Sequence, residues 1–263
     1  MPAYISPFAF ILLRVGSAAL AFNIYFFTIV KEKIQSKQDY IDLVICSFFG
    51  IVFNKLAFFK GLSLTSPINA SVLMLLASVF VVIFSAVGGR KKVKPTVILG
   101  ILISFVGAGF LINAGSFSLS GGNITGDLLV MLNATSFAFY LYYVARLLKK
   151  YKAITVTSYI FMIGFWFVLP VSLSDFLAVE WTSLPSTAIW SMAYVVICVT
   201  LLAYVLNVWG VQNSSSTTAG SYIYLQPLLA GIIAIYLGMD TLSLTTVLCG
   251  LSIVLGLWLV GRK

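Results

Sequence analysis

Lys55 is the residue best placed to do chemistry in this chain. It sits inside an apolar run, 40–62, about seven residues from the nearer end, or roughly 10 Å along a helix. An ammonium at that depth in a bilayer costs several kcal/mol unless it is solvated or paired. One reading is a cavity cation that attracts an anionic or zwitterionic solute. The other is a lysine that snorkels to the interface or bonds helix carbonyls. Asn54, Asn133, Asn207 and Gln226 are uncharged polar residues in apolar runs, suited to solute contact or to interhelical hydrogen bonds. Gln226 precedes Pro227, and a proline frees a backbone carbonyl one turn earlier. Freed carbonyls at membrane depth are tolerated where they line a cavity. Pro170 makes the same break with fewer polar neighbours. Tyr140 and Tyr222 add aromatic surface, but Tyr222, Tyr224 and Gln226 cannot all share one helical face. The candidate solute-binding set is therefore Lys55, Asn54, Asn133, Tyr140, Asn207, Tyr222 and Gln226. Arg14 is read as an interfacial anchor near a helix end.

Other chemistries find little support. The chain has no histidine, hence no usual near-neutral proton carrier and no Ser-His pair. Its three cysteines, Cys46, Cys198 and Cys249, fall in apolar runs and read as small buried hydrophobes. Asp127, Asp175, Glu180 and Asp240 fall at run ends or in outer loops, which favours facilitated diffusion or coupling through Lys55. No catalytic residues, no metal and no cofactor are expected, and the chain is not read as an enzyme.

Those residues must be positioned by membrane helices. The sequence is 61% hydrophobic and 9% charged, with mean hydropathy +1.08, whereas a soluble domain carries roughly 25% charged residues. Nine apolar runs reach helical spanning length: 7–30, 40–62, 67–88, 94–112, 124–147, 154–173, 187–209, 217–238 and 243–261. The net charge of +9 does not indicate nucleic acid, because the basic residues sit in alternate loops. Lys31, Lys33 and Lys37 form one cluster, and Arg90, Lys91, Lys92 and Lys94 the next. Arg146, Lys149, Lys150 and Lys152 follow, and Arg262 and Lys263 close the chain. The loops between are neutral or acidic. Basic loops stay inside, which predicts a multi-pass protein with a cytoplasmic C-terminus. Asn123-Ile124-Thr125 fits a short glycosylation pattern on an outer loop.

A repeat underlies the runs. Shifting the chain by about 149 residues superposes Gly61 on Gly210, Ser66 on Ser215, Ala70 on Ala219, Leu76 on Leu225 and Gly107 on Gly256. Small residues recur at helical spacing at Gly100, Ser104 and Ala108, and at Ala230, Ala234 and Gly238, which lets helices approach closely. The expected fold is all-α: about nine transmembrane helices in an inverted-topology repeat, four plus five. The first repeat spans 1–112, an outer loop 113–123, and the second repeat 124–263. Run 124–147 has no counterpart, because it would precede Met1.

The chain resembles the EamA-type transporters of the drug/metabolite transporter superfamily. Pro7-Phe8 with Arg14 resembles the start of that family's second helix. Thr65-Ser66-Pro67-Ile68-Asn69-Ala70-Ser71 resembles its third-to-fourth turn, and Gly126-Asp127-Leu128-Leu129 the opening of its second repeat. Thr217-Thr218-Ala219 through Leu225-Gln226-Pro227 resembles the ninth-helix signature. Ser78 stands where the fourth helix often has proline, and Gly88-Gly89-Arg90 lacks a common glutamate. The resemblance implies an inner-membrane secondary transporter for a small metabolite, amino acid or drug-like solute. The implied partners are that small-molecule substrate and the lipid bilayer. Against the ten helices of that family, this sequence reads as lacking the first, either as a nine-span variant or because the start lies before Met1. A homodimer or a partner helix would cover the gap. That absence keeps open a non-transporting structural or regulatory subunit, or an inactive truncated carrier.

Overall fold

The computed structural model describes residues 4–65, 67–89, 93–112, 124–236 and 244–261. Within them the chain forms nine helical segments. They are α1 (Pro7–Val30), α2 (Lys37–Leu62), α3 (67–89), α4 (Pro95–Ile112) and α5 (Ile124–Leu147), then α6 (Ala153–Leu177), α7 (Ser186–Asn213), α8 (216–236) and α9 (Leu244–Gly261). Six of the helices are long and apolar enough to cross a bilayer. The expected runs coincide with these segments, with extra turns at the ends of α2, α6 and α7. Local chemistry sets several starts. Ser6 and Ser36 accept hydrogen bonds from the N–H groups of Ala9 and Asp39, each at 3.1 Å, and Ser215 caps α8 through Thr218 at 3.0 Å. Pro7 occupies the first turn of α1, where its missing N–H costs nothing. The clusters Arg90-Lys91-Lys92 and Arg262-Lys263, the loop 113–123 with its glycosylation pattern, and Ser66, Gly238 and Asp240 lie outside the described residues.

The helices are sided by side-chain size more than by polarity. On α4, Leu99, Leu102, Val106 and Phe110 are exposed, while Ser104 and Ala108 are fully buried. On α9, Leu248, Leu251, Leu255 and Trp258 are exposed, while Ile253 is buried. Such apolar outer faces suit lipid, and the small inner residues let backbones meet.

The chain divides into two compact units. The first comprises Met1–Leu56 and Tyr143–Ser214, the second Ala57–Tyr142 and Ser215–Lys263. Each unit therefore takes chain from both sequence repeats, and α2 and α5 each contribute to both units.

In the second unit α4 packs on α9. A Cβ on Gly100 would meet the Gly256 carbonyl at 2.5 Å, and one on Gly107 would meet the Cys249 carbonyl at 3.0 Å. The partner number falls as the α4 number rises, so the helices are antiparallel. Under the repeat shift Gly100 corresponds to Cys249 and Gly107 to Gly256. Each contact thus maps onto the other with partners exchanged, the signature of a two-fold relation. At its centre Ser104 donates to the carbonyl of Ile253, its own equivalent, at 3.3 Å. In the first unit α1 packs on α6 by the same rule. Gly16 lies against Phe165, its equivalent, with 3.4 Å between a built Cβ and the ring. Six residues on, the Phe22 carbonyl accepts from Ser158 at 3.1 Å. An inverted repeat produces these antiparallel pairings of equivalent helices.

The basic loops at one end of the first unit are clasped together. Lys150 pairs with Asp39 at 2.7 Å, and the Tyr151 hydroxyl donates to the same carboxylate at 2.8 Å. Glu32 accepts from the Lys152 N–H at 3.1 Å and from the Thr155 hydroxyl at 2.5 Å. Gln212 donates to the carbonyls of Leu148 and Tyr151 at 3.2 and 3.1 Å. The first and third basic clusters of the sequence therefore share one end of this unit, as the charge alternation requires. In the second unit, Thr65 donates to the Asp127 carboxylate, tying the α2–α3 turn to the first turn of α5.

Candidate functional site: a cationic pocket at bulged, repeat-related helices

Three helices of the first unit carry a π-helical turn: α1 ends in one at Phe26–Val30, and in α2 and α7 the turns fall at equivalent places. α2 widens into a π-helical turn at Phe48–Val52, and α7 does so at Val195–Leu202. The shift maps the first stretch inside the second. Such bulges offset the hydrogen-bond ladder and concentrate at functional sites. One turn beyond them stand Lys55 and its repeat equivalent, Tyr204. Their side chains meet: the Lys55 ammonium lies 5.5 Å from the centre of the Tyr204 ring. The Tyr204 hydroxyl reaches the Gly50 carbonyl, inside the α2 bulge, at 3.4 Å. Phe161 of α6 holds the ring edge-on, with centroids 4.8 Å apart.

Arg14 completes the group, and its position corrects the sequence reading. It is not an interfacial anchor but lines the same pocket as Lys55, Thr200 and Tyr204, above Ile51 and Phe161. Its Nε donates to the Thr200 hydroxyl at 2.8 Å, and that hydroxyl donates to the Val195 carbonyl at 3.0 Å, within the α7 bulge. Arg14 lies seven residues into α1 and one helical turn from Ile11, so the hydrophobic run alone gave no sign of which face it took. Thr200 and Tyr204 were missed because each looks like an ordinary residue of an apolar run. The repeat shift could have found Tyr204, since it aligns with Lys55. The enclosed space is about 10 Å³, close to one water. No carboxylate lines it, and the ion pair found among the described residues is Lys150–Asp39, not a partner of either cation. Both cations are half-buried, and at the helix centre of a membrane span such a charge would cost about 2.5–3.5 kcal/mol on insertion scales. The contact with Tyr204 and the hydrogen bond to Thr200 offset part of it.

The second unit has an analogous pair of broken helices. α3 tightens at Leu75, whose N–H bonds Val72 three residues back at 3.1 Å, while Ser78 bonds Leu75 at 3.3 Å. α8 tightens into a 3-10 turn at Tyr222–Tyr224. Leu75 and Tyr224 are repeat equivalents. The Ser78 hydroxyl, opposite Pro227 in the repeat, donates to the Gly220 carbonyl at 2.7 Å and joins the two helices. Beside the breaks is a cavity of about 470 Å³ lined by Ser71, Met74, Phe58, Gln226 and Pro227.

The expected site residues separate accordingly. Lys55 lines the pocket of the first unit and Gln226 the cavity of the second. Asn54, Asn133 and Tyr140 are buried and engaged with neighbouring groups. The Asn207 side-chain amide oxygen, Oδ1, is buried on α7 and makes no hydrogen bond among the described residues. Tyr222 is exposed while Tyr224 is fully buried, so the trio with Gln226 is split between faces. Pro170 leaves α6 continuous. The acids that organise the loops are Glu32, Asp39 and Asp42, which the run-by-run reading passed over. Asp42 accepts from Tyr143 and Gln38, each at 3.0 Å. Asp175, placed in a loop by the sequence, ends α6 and accepts from Ser6 at 2.6 Å.

Comparison with known proteins agrees with this architecture. The EamA-like transporter family profile matches residues 1–113 and again residues 124–262. The chain belongs to the EamA-like transporter family. Its relatives include an uncharacterized transporter of Archaeoglobus fulgidus, 28% identical over 229 residues, covering 87% of this chain and 78% of the relative. A second Archaeoglobus fulgidus transporter is 27% identical, covering 99% of this chain and 90% of its own. The uncharacterized transporter YyaM of Bacillus subtilis is 25% identical, covering 89% and 78%. A solved crystal structure superposes with a TM-score of 0.78 at 17% identity, covering 97% of this chain and 89% of that one, and shares the fold. This member of the family is thus a multi-pass membrane protein built from two related repeats.

Proposed function

We propose that this EamA-family protein is a secondary transporter of the inner (plasma) membrane. It moves a small metabolite, amino acid or drug-like solute by alternating access, with its basic loops and C-terminus in the cytoplasm. The observation that carries this reading is the matched irregularity of repeat-related helices. π-helical turns in α2 and α7, and tightened turns in α3 and α8, interrupt equivalent positions. A bundle that only had to be stable would gain by keeping those ladders regular. Interrupted helices in inverted repeats expose backbone groups where solute binds, and equivalent repeats can exchange conformations about that place. Lys55 and Tyr204 in the pocket of the first unit are the side chains assigned to solute contact, and Gln226 lines a separate cavity of the second.

The test is counterflow into proteoliposomes preloaded with mixed unlabelled metabolites, using labelled members of the same mixture. Saturable, protein-dependent uptake is expected. Uptake equal to that of empty liposomes, from protein that unfolds cooperatively, would refute transport.

A further inference from the structure

Arg14 and Lys55 present a problem that stability does not answer. Two cations from different helices line one pocket, within an otherwise apolar wall of Ile51 and Phe161. Among the described residues that line it, their polar companions are Thr200 and Tyr204. Thr200 engages Arg14 through Nε and the guanidinium lies 5.8 Å from the centre of the Phe10 ring, so among the described residues its terminal nitrogens have no carboxylate partner. The Tyr204 ring already faces the Lys55 ammonium, which would repel an ammonium brought to it by a solute. A solute cation would meet two like charges and no acceptor carboxylate.

We propose that Arg14 and Lys55 are the receptor for the carboxylate of the transported solute, so that the substrate class is small organic anions. This rests on the transporter reading above. A guanidinium whose terminal N–H groups have no partner among the described residues can donate both to one carboxylate, and the ammonium adds a point charge. An anion offsets the like charge of two cations that line one pocket, and hydrogen bonds from both must outweigh the anion's own desolvation. The pocket in this conformation has a volume of about 10 Å³, the size of one water, so a solute enters only as α2 and α7 shift at their bulged turns. Charge selection and conformational change are thereby coupled in one place.

The experiment uses the full chain in nanodiscs and in proteoliposomes. The probes are lactate, succinate and citrate, each against its neutral amide, with lysine as a cation. Thermal unfolding in nanodiscs reads binding, and labelled-probe uptake reads transport. At least one carboxylate is expected to raise the unfolding temperature, with its amide at least tenfold weaker and lysine without effect. Arg14→Gln and Lys55→Gln abolish the shift, while Arg14→Lys keeps part of it. Without ligand, both Gln variants unfold at the same temperature as the parent or higher, since each removes an uncompensated charge. A purely structural role for either cation would lower it, and that result overturns the proposal. Protection by amides as strong as by carboxylates, protection that survives Lys55→Gln, or no protection by any carboxylate also overturns it. Saturable uptake of neutral solutes unchanged in Lys55→Gln overturns the anion site and leaves transport standing. Carboxylate protection without uptake of any probe keeps the site and removes transport.

Discussion

Replacing Gly256 by alanine tests the repeat-related interface of α4 and α9 directly. A Cβ there would contact the Gly100 carbonyl and the Ser104 hydroxyl and lie 2.8 Å from the Ser104 backbone nitrogen. Two of these three atoms belong to backbone and cannot rotate away, so one helix must retreat by about 1 Å, enough to forfeit a quarter to half of each displaced contact. Overpacking of this kind costs about 1–3 kcal/mol, and backbone collision puts Gly256→Ala at the upper end, about 3 kcal/mol. The repeat equivalent behaves more mildly. A Cβ on Gly107 has its nearest neighbours at 3.0 Å, including the Ser252 side chain, so Gly107→Ala should cost about 1 kcal/mol. Gly109, on the same helix, has nothing within 4 Å of its built Cβ. Gly109→Ala should be neutral or gain up to about 1 kcal/mol from helix propensity. The spread between Gly256→Ala and Gly109→Ala is then about 3 kcal/mol, roughly 150-fold in the unfolding equilibrium. SDS titration in mixed micelles, followed by far-UV circular dichroism, measures it. Equal midpoints and slopes for the two variants would refute close backbone packing between α4 and α9.

Three further outcomes follow from the loop contacts. Thr65→Val removes a hydrogen bond to a carboxylate and leaves Asp127 with one donor fewer; a loss of about 1–3 kcal/mol in the same titration is expected. Asp39→Asn should lower the unfolding temperature more than Lys150→Met, because Asp39 is buried and also accepts from Tyr151, whereas the Lys150 side chain is 58% exposed. Added salt should shrink the Lys150→Met effect and leave most of the Asp39→Asn effect. The Asp39 hydrogen bond holds the Lys150 ammonium above the usual lysine range. A raised folded value means that its stabilisation is fully present below about pH 10.4 and fades as pH rises through the folded value. The stability difference between parent and Lys150→Met should therefore stay constant from pH 6 to about 9 and vanish at higher pH. A difference that grew with pH would show that the pair is not formed.

Much of the fold was legible because lipid imposes simple rules. A span must be long, apolar and internally hydrogen-bonded, so hydropathy found all nine helical segments with small errors at their ends. The errors arose where polar residues continue a helix past the apolar run, as at Asp39 in α2 and at Asp175 in α6. Helix ends in such places are set by caps and side-chain partners, which hydropathy does not weigh. The repeat was legible because paired glycines and serines keep their spacing through duplication. Lys55 was legible because a charge in an apolar run is rare and expensive.

What the sequence determined by itself is the class of molecule: an all-helical, multi-pass chain of two related repeats, with one conspicuous intramembrane cation. What only the tertiary structure decided is which polar groups meet. Arg14 looked like an anchor because depth along a run carries no information about direction around the helix, and direction is fixed by the neighbour it packs against. Thr200 had no signal of its own and Tyr204 only its alignment with Lys55, and which cation each meets is decided by how α7, with its π-helical turn, packs in the first unit. Asn133 and Tyr140 carried the same polarity as Gln226, yet they are buried in the core of their helix while Gln226 lines a cavity. Polarity is a property of the residue, whereas a site is a property of several helices converging, and the convergence follows from packing small residues against backbone.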